Sequence, residues 1–215
     1  MIARWHQDYP GQLAGSVYAA PADTRTRLAG ALADAGLAVH VDVMADDEGL
    51  PTGVTLAELR DIAGRVERSQ LEVHLIGGVD FVECTLTDVL ALRPARVYVP
   101  WAAFSEERAA AIRAADAGAW IAVWQDWPGW RSGEAPPWPA VPDGALVMLI
   151  EPGSSDPCRT ERLDIAASCA VWTPVIVDGG ITEDIAPLCI KAGVQAMVVG
   201  RALLAGAGTS ERNLT

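Results

Sequence analysis

Eight short apolar runs, separated by stretches of helical character, constrain the fold of this 215-residue chain more than any other feature. Continuous apolar runs of this length are typical of parallel strands that are buried on both faces. Eight strand–helix repeats predict a (β/α)8 barrel of the TIM type, an α/β fold formed by residues 1–215 as a single domain. A doubly wound open sheet is the alternative, although it usually carries fewer strands. The predicted strands are 13–19, 37–44, 71–76, 96–100, 119–124, 145–150, 174–178 and 195–199.

The stretches between the strands carry helix signals of their own. Thr55 and Glu58 have the spacing of a capping box, in which each residue satisfies a free backbone N–H of the first turn. Pro187 lies inside another helical pattern and predicts a kink there. The predicted helices are 22–36, 55–69, 105–118 and 182–193, and each of them ends on or near a glycine or a polar residue.

One segment breaks this alternation. Residues 120–142 contain five tryptophans and five prolines, and proline at that density is incompatible with a regular helix after strand 5. We expect an irregular loop packed over the side of the barrel. A lid or a subunit contact is the second interpretation, because aromatic residues are enriched in interfaces.

Charge and composition exclude several classes of function. The net charge is −12, which argues against a nucleic-acid partner, and no apolar run is long enough to span a membrane. Lys191 is the only lysine, so a lysine Schiff base is not expected to carry the chemistry. The four cysteines are scattered without a CxxC pair, and residues 1–11 contain no apolar signal segment. Together these features predict a cytoplasmic protein with reduced thiols.

Two histidines and two aspartates stand out at the ends of three predicted strands. His40 and Asp42 are two residues apart in strand 2, so their side chains share one face, while His74 and Asp178 end strands 3 and 7. The carboxyl ends of barrel strands form the active-site face. These groups can therefore hold one divalent metal and still present two carboxylates for proton transfer. A lone strand histidine is more often a packing residue, and the interpretation depends on all four occurring together.

Glycines and polar residues follow the last three strands. In barrels, the loops after strands 7 and 8 commonly bind phosphate through backbone N–H groups. Glycines after strands are also common for purely structural reasons. The candidate anion-binding residues are Gly153, Ser154 and Ser155 after strand 6, Gly179 and Gly180 after strand 7, and Gly200 and Arg201 after strand 8.

Motifs along nearly the whole chain resemble the ribulose-phosphate 3-epimerase family. The matching strings are GSVYAA, HVDVM, EVHLI, MLIEPG, VDGGI and VVGRALL, of which HVDVM and VDGGI are the most specific. The resemblance implies that His40, Asp42, His74 and Asp178 bind one divalent ion of zinc, iron, manganese or cobalt. It further implies that Asp42 and Asp178 are the acid/base pair.

The resemblance also suggests a substrate. The implied reaction interconverts D-ribulose 5-phosphate and D-xylulose 5-phosphate by proton transfer at carbon 3 through a metal-stabilised enediolate. Ser16, Met44 and Met148 would line the substrate pocket, together with the anion-binding residues named above. The family also suggests a homo-oligomer.

The chain departs from the family pattern where the far end of the substrate would lie. GSSDP, which includes Asp156, replaces the family's glycine-rich loop after strand 6, and Arg201 replaces the serine after strand 8. The carboxylate of Asp156 would repel a phosphate, whereas Arg201 would attract one. An epimerase for another sugar phosphate or for an unphosphorylated ketose is therefore an alternative. A non-catalytic metabolite-binding paralogue is a third hypothesis, motivated by the segment 120–142.

Overall fold

Eight parallel strands close into a barrel in chain order, with β1 hydrogen-bonded to both β2 and β8. The computed structural model describes residues 2–46, 48–124, 134–152, 154 and 156–204. These residues form a (β/α)8 barrel, which confirms the predicted fold and excludes the open sheet. The strands are β1 Leu13–Ser16, β2 Ala38–Met44, β3 Leu71–Ile76, β4 Arg96–Pro100, β5 Gly118–Val123, β6 Gly144–Met148, β7 Val175–Asp178 and β8 Ala196–Val199.

Seven α-helices surround the barrel within the described residues. They are α1 Arg25–Asp34, α2 Leu56–Ala63, α3 Val79–Leu90, α4 Glu106–Ala114, α5 Leu163–Ala170, α6 Ala186–Lys191 and α7 Arg201–Leu204. Residues 134–143, which lead into β6, are irregular, in agreement with the prediction for the proline-rich segment. Trp127 and Trp130 lie outside the described residues. None of the described helices is long and apolar enough to cross a membrane.

Strand residues alternate between two hydrophobic layers. Even-numbered side chains, such as Leu146 and Ile176, fill the barrel interior, whereas odd-numbered side chains, such as Val41 and Val73, pack under the helices. The same parity holds in all eight strands. His40, Asp42, His74 and Asp178 are all even-numbered, so the alternation directs the four predicted site residues into the barrel.

Two helix ends have the conformations that the sequence signals predicted. Thr55 and Glu58 form the predicted capping box, with the threonine Oγ1 accepting from the Glu58 backbone and the Glu58 carboxylate accepting from the Thr55 N–H. Gly36 has a positive φ of 75° just after α1, as expected of a residue that ends a helix.

Several boundaries differ from the predictions. Helix α2 ends at Ala63 instead of residue 69, and α6 begins at Ala186 instead of residue 182. Strand β1 ends at Ser16 instead of residue 19, because residues 17–19 form a 3₁₀ turn. Helix α4 ends at Ala114, where Asp116 at φ 59° takes the left-handed conformation, and Gly118 already belongs to β5. Pro187 lies in the first turn of α6, where its missing N–H has no intrahelical partner to lose, so it does not kink the helix.

Candidate metal centre and substrate cavity

The closed barrel brings the four predicted ligands together at the carboxyl ends of β2, β3 and β7. Asp42 pairs in register with His74 on the adjacent strand, and Asp178, on the non-adjacent strand β7, comes within 3.8 Å of His40. One potential ligand atom from each residue can be chosen so that all four lie within 4.8 Å of one another. His40 is fully buried and the other three side chains are nearly so.

Asp42 lies at the centre of this cluster. Its Oδ1 is 3.3 Å from His40 Nε2 and 3.3 Å from His74 Nδ1, and its Oδ2 accepts a hydrogen bond of 3.0 Å from Ser16 Oγ. The Oδ2 atom of Asp178 is 3.8 Å from the same His40 Nε2. Ser16, which was predicted to line the pocket, therefore also orients one of the two carboxylates.

The two carboxylates differ in their affinity for a proton. Burial alone would raise the pKa of Asp42, but the adjacent imidazoles hold this pKa well below its usual range. Burial raises the pKa of Asp178 to about 7, and the charge of Asp42 adds to that shift against the opposing effect of His40. At neutral pH one carboxyl is ionised while the other holds a proton for about half of the time. Such a difference between paired groups is typical of acid/base sites.

The two imidazoles also differ from each other. Burial alone would lower the pKa of His40, but the nearby carboxylates of Asp42, Glu72 and Asp178 together outweigh it and raise this pKa to about 10. Burial lowers the pKa of His74 below its ordinary value, although Asp42 opposes the shift. Without a cation, the cluster therefore holds a proton on His40. A site that favours a bound positive charge in this way is suited to a metal ion.

The donor atoms fit a divalent cation. Both ring nitrogens of His40 and Nδ1 of His74 are buried and have no hydrogen-bond partner. Buried polar atoms are rarely left without a partner, and an unfilled ion site is one of the recognised exceptions. Two imidazoles with two carboxylates suit zinc, iron, manganese or cobalt. The chemistry of this set therefore agrees with a resident metal held by His40, Asp42, His74 and Asp178.

A cavity of about 620 Å³ opens directly over Asp42 and Asp178. The structure brings nearly all predicted substrate-binding residues into its wall, while Gly153 and Ser155 lie outside the described residues. The predicted residues that line the cavity are Ser16, Met44, Met148, Ser154, Gly179, Gly180, Gly200 and Arg201.

At two of these positions a glycine is required, because a neighbouring segment of the chain approaches closely. Gly179 has a φ of 118°, and a Cβ atom there would lie 2.5 Å from Ile150 Cγ1. Gly180 has a φ of 65°, and its Cβ would lie 2.7 Å from the backbone nitrogen of Cys158. The loop after β7 therefore packs tightly against the loop after β6, and together they form one wall of the cavity.

Several wall residues were not predicted from the sequence. Arg25 is buried, donates a hydrogen bond of 3.0 Å to the Gly53 carbonyl and stacks over the Tyr18 ring at 5.3 Å. Nothing in the sequence distinguishes Arg25 from the exposed Arg27 beside it. Asp156 also lines the cavity, as its position in the altered loop suggested.

Glu72 was missed as well, although a signal for it exists. It precedes His74 by two residues in β3 and so shares the inward face of that strand. The side chain lies beside His40 in the barrel interior and is almost completely buried. Burial alone would raise the pKa of Glu72, but the nearby His40 and Arg96 bring it below its ordinary value.

A second cavity of about 530 Å³ adjoins the first on the side of β3 to β5. The two share Ile76, Met148 and Pro152, and His74 faces the second one. The indoles of Trp101 and Trp124 contribute to its wall, so part of the tryptophan-rich region borders the site.

A closed (β/α)8 barrel with a buried cluster of imidazoles and carboxylates below a cavity at its strand ends defines a TIM-barrel enzyme. Residues 12–204 match the family model described as the ribulose-phosphate 3 epimerase family. The chain belongs to this family, which confirms the resemblance seen in the motifs. It is a family of isomerases that act as epimerases and depend on a divalent metal.

Solved structures agree with the fold. Phosphoribosyl anthranilate isomerase from Thermus thermophilus is 16% identical with a TM-score of 0.59, covering 89% of this chain and 88% of its own. A mutant tryptophan synthase alpha-subunit from Pyrococcus furiosus is 15% identical with a TM-score of 0.63, covering 91% and 89%. Orotidine 5′-phosphate decarboxylase from Pyrococcus horikoshii is 14% identical with a TM-score of 0.57, covering 91% and 92%. These similarities show the fold alone. A comparison with curated protein sequences finds no match.

Proposed function

We propose that this protein interconverts D-ribulose 5-phosphate and D-xylulose 5-phosphate by moving a proton at carbon 3. The observation that carries the proposal is the pair Asp42 and Asp178, which lie on the non-adjacent strands β2 and β7 and line the same cavity. Epimerisation needs one group to remove a proton from one face of the carbon and another to return it on the other face. The chain's family and its sugar-phosphate substrates support this assignment.

The two aspartates divide this work. In each turnover an ionised carboxylate accepts the proton from carbon 3, and the protonated partner delivers one from the other side. In the absence of a metal, the lowered pKa of Asp42 and the raised pKa of Asp178 make Asp178 the better proton donor of the two. Ser16 keeps Asp42 in place through its hydrogen bond to Oδ2. The interconversion is reversible, so each aspartate serves as acid in one direction and as base in the other.

We assign a single divalent cation to His40, Asp42, His74 and Asp178. When bound, it acts as a Lewis acid that stabilises the negative charge left on the substrate oxygens when carbon 3 loses its proton. A free carboxylate is otherwise a weak base for a C–H bond. The fit of a divalent cation to this site rests on the unpartnered ring nitrogens of His40 and His74 and on the spacing of the four residues.

We assign the phosphate end of the substrate to the part of the cavity that the loops after β7 and β8 line. Gly179, Gly180 and Gly200 expose backbone there, and Arg201 adds a positive charge at the start of α7. Met44 and Met148 line the apolar part of the wall close to the cluster. The cavity volume of about 620 Å³ is ample for a five-carbon sugar phosphate.

A different or unphosphorylated ketose is the second candidate, and Asp156 favours it. This exposed carboxylate lines the cavity on the loop after β6, where it would repel a phosphate group. Comparing turnover of D-ribulose 5-phosphate with that of D-ribulose distinguishes the candidates. Strict dependence on phosphate excludes the unphosphorylated substrate, whereas equal turnover supports it.

The direct test is NMR of D-ribulose 5-phosphate in D2O with the metal-loaded protein, repeated after chelation. We expect deuterium at carbon 3 and the appearance of xylulose 5-phosphate, both lost on chelation and restored by metal. Folded, metal-bound protein that causes no exchange would refute the proposed substrate. Glu83→Gln, on the outer face of α3, is the matched control and should retain full exchange.

A further inference from the structure

A buried carboxylate beneath the metal cluster has no part in the reaction proposed above. Glu72 pairs in register with His40 and is only 2% exposed, inside the barrel and away from the substrate cavity. An ionised carboxylate this deeply buried is costly unless it is paired and hydrogen-bonded. The neighbours of Glu72 therefore indicate what it does.

Three side chains surround this carboxylate. Arg96 Nη1 donates to Oε1 at 2.5 Å, and Tyr98 Oη donates to Oε2 at 2.7 Å. The Arg96 guanidinium also lies over the Trp120 ring, 5.1 Å from its centroid. Oε2 of Glu72 is 3.7 Å from His40 Nδ1, and closing this gap to a hydrogen bond takes a shift of about 0.8 Å.

His40 thus has its two ring nitrogens directed at different groups. Nε2 faces Asp42 and Asp178, while Nδ1 faces Glu72. A neutral imidazole carries one N–H, and a carboxylate accepts hydrogen bonds without donating any. With Glu72 at Nδ1, the proton is held on Nδ1 and the lone pair of Nε2 is left for the cluster.

We propose that Glu72 is a positioning residue, which fixes the tautomer and ring orientation of His40 for metal binding. Arg96 and Tyr98 in turn fix the carboxylate of Glu72. The inference rests on the metal site proposed above and adds Glu72 to it, a residue to which the motif EVHLI had assigned no role. Carboxylates behind a metal-bound histidine change metal affinity by about 10- to 100-fold when they are removed.

Glu72→Gln is the informative substitution because it keeps the size of the side chain. Arg96 donates and cannot accept, so the amide carbonyl stays toward Arg96 and the NH2 group faces His40. That NH2 group favours a lone pair on Nδ1 and a proton on Nε2, where the metal has to bind. We expect the Kd for Zn²⁺ to rise by about 10- to 100-fold.

The experiment measures two quantities on the full chain without substrate. The first is the Zn²⁺ Kd by competition with a chelator, with Glu83→Gln as a control that breaks only an outer ion pair. The second is the Nδ1–H proton of His40 in zinc-loaded, ¹⁵N-histidine-labelled protein. With three histidines in the chain this signal is readily assigned, and a carboxylate partner moves it downfield.

The results separate positioning from a purely structural role. Weaker zinc binding with loss of the downfield His40 signal supports the proposal. Wild-type Kd and an unchanged signal overturn it, even if Glu72→Gln lowers the melting temperature. If Glu72→Gln does not fold, Tyr98→Phe is used. Loss of the tyrosine donor should strengthen the Glu72–His40 bond and move the signal further downfield, and an unmoved signal overturns the proposal.

This design also keeps the two proposals apart. A wild-type protein that binds zinc but leaves D-ribulose 5-phosphate unchanged would refute the substrate assignment. The role of Glu72 would stand in that case, because it is measured from metal affinity and the His40 resonance alone.

Discussion

Metal binding to this protein is expected to release protons, because metal ligands must bind in their deprotonated forms. In the metal-free protein His40, with its pKa of about 10, is protonated at neutral pH. Asp178, with its pKa of about 7, is half protonated there. Asp42 and His74 are shifted toward their deprotonated forms and are expected to contribute less. The pH dependence of metal affinity therefore reports on His40 and Asp178.

The expected magnitude follows from these two pKa values. From His40 and Asp178 together the metal displaces about 1.9 protons at pH 6 and about 1 at pH 8.5. The affinity should then rise about 50-fold from pH 6 to pH 7, when both groups contribute, and about 10-fold from pH 8 to pH 9, when only His40 does.

Calorimetric titration of the metal-free protein with Mn²⁺ counts these protons directly. At each pH the titration is done in two buffers with different ionisation enthalpies, and the difference in observed heat gives the number released. Asp178→Asn is the matched variant, since an amide cannot hold the proton. Its count at pH 6 should fall to about 1.

Tight binding that releases fewer than about 0.5 protons at every pH would contradict the roles assigned to His40 and Asp178. Such a result would mean that His40 and Asp178 are already unprotonated in the metal-free protein, or that neither of them is a ligand. An unchanged count in Asp178→Asn would exclude that residue alone.

Three further predictions concern the catalytic pair, the stability and the loop glycines. Asp42→Asn and Asp178→Asn should each lower turnover by at least about 100-fold with an unchanged circular dichroism spectrum, and near-normal turnover in either would show the two-base assignment to be wrong. In metal-free protein His40 alone should lower the unfolding free energy by about 1.4 kcal/mol per pH unit between pH 7 and 8.5, because the folded state keeps a proton on His40 that the unfolded chain, with an ordinary pKa near 6.5, has released. Asp178, whose pKa is raised to about 7, adds to the loss near pH 7. Urea denaturation measures this slope, and a flat profile contradicts it. Gly180→Ala should destabilise the protein by about 1–3 kcal/mol because of its positive φ and the contact with Cys158. Gly30→Ala in α1, where the added methyl meets nothing, should be neutral or stabilising, and equal denaturation midpoints for the two variants would contradict the strain argument.

The fold was predictable because parallel barrel strands bury both of their faces. Every strand therefore appears in the sequence as a continuous apolar run, and all eight were placed to within a few residues. The boundaries that failed depend on single backbone conformations. Asp116 takes the left-handed conformation that a glycine was expected to supply, and Pro187 begins a helix that it was expected to bend.

The candidate site was predictable where side chains that can bind a metal lie near the ends of apolar strands. His40, Asp42 and His74 are polar residues in otherwise apolar strands, and a polar residue in such a strand calls for a structural or functional explanation. Glu72 is also a polar residue in an apolar strand. It was not predicted as a site residue, because its role depends on the side chains that surround it in the folded barrel. Arg25 gave no signal, since its burial comes from the packing of Tyr18 and Gly53 around it.

The sequence by itself determined the order of strands and helices. It also determined the alternation that directs every even-numbered strand residue into the barrel, and which polar residues lie at the barrel mouth. Only the tertiary structure decided that Asp178 of β7 meets His40 of β2, because that contact requires β8 to close on β1. It also decided which carboxyl keeps a proton. A pKa depends on burial and on nearby charges, and both are properties of the folded chain that no local pattern encodes.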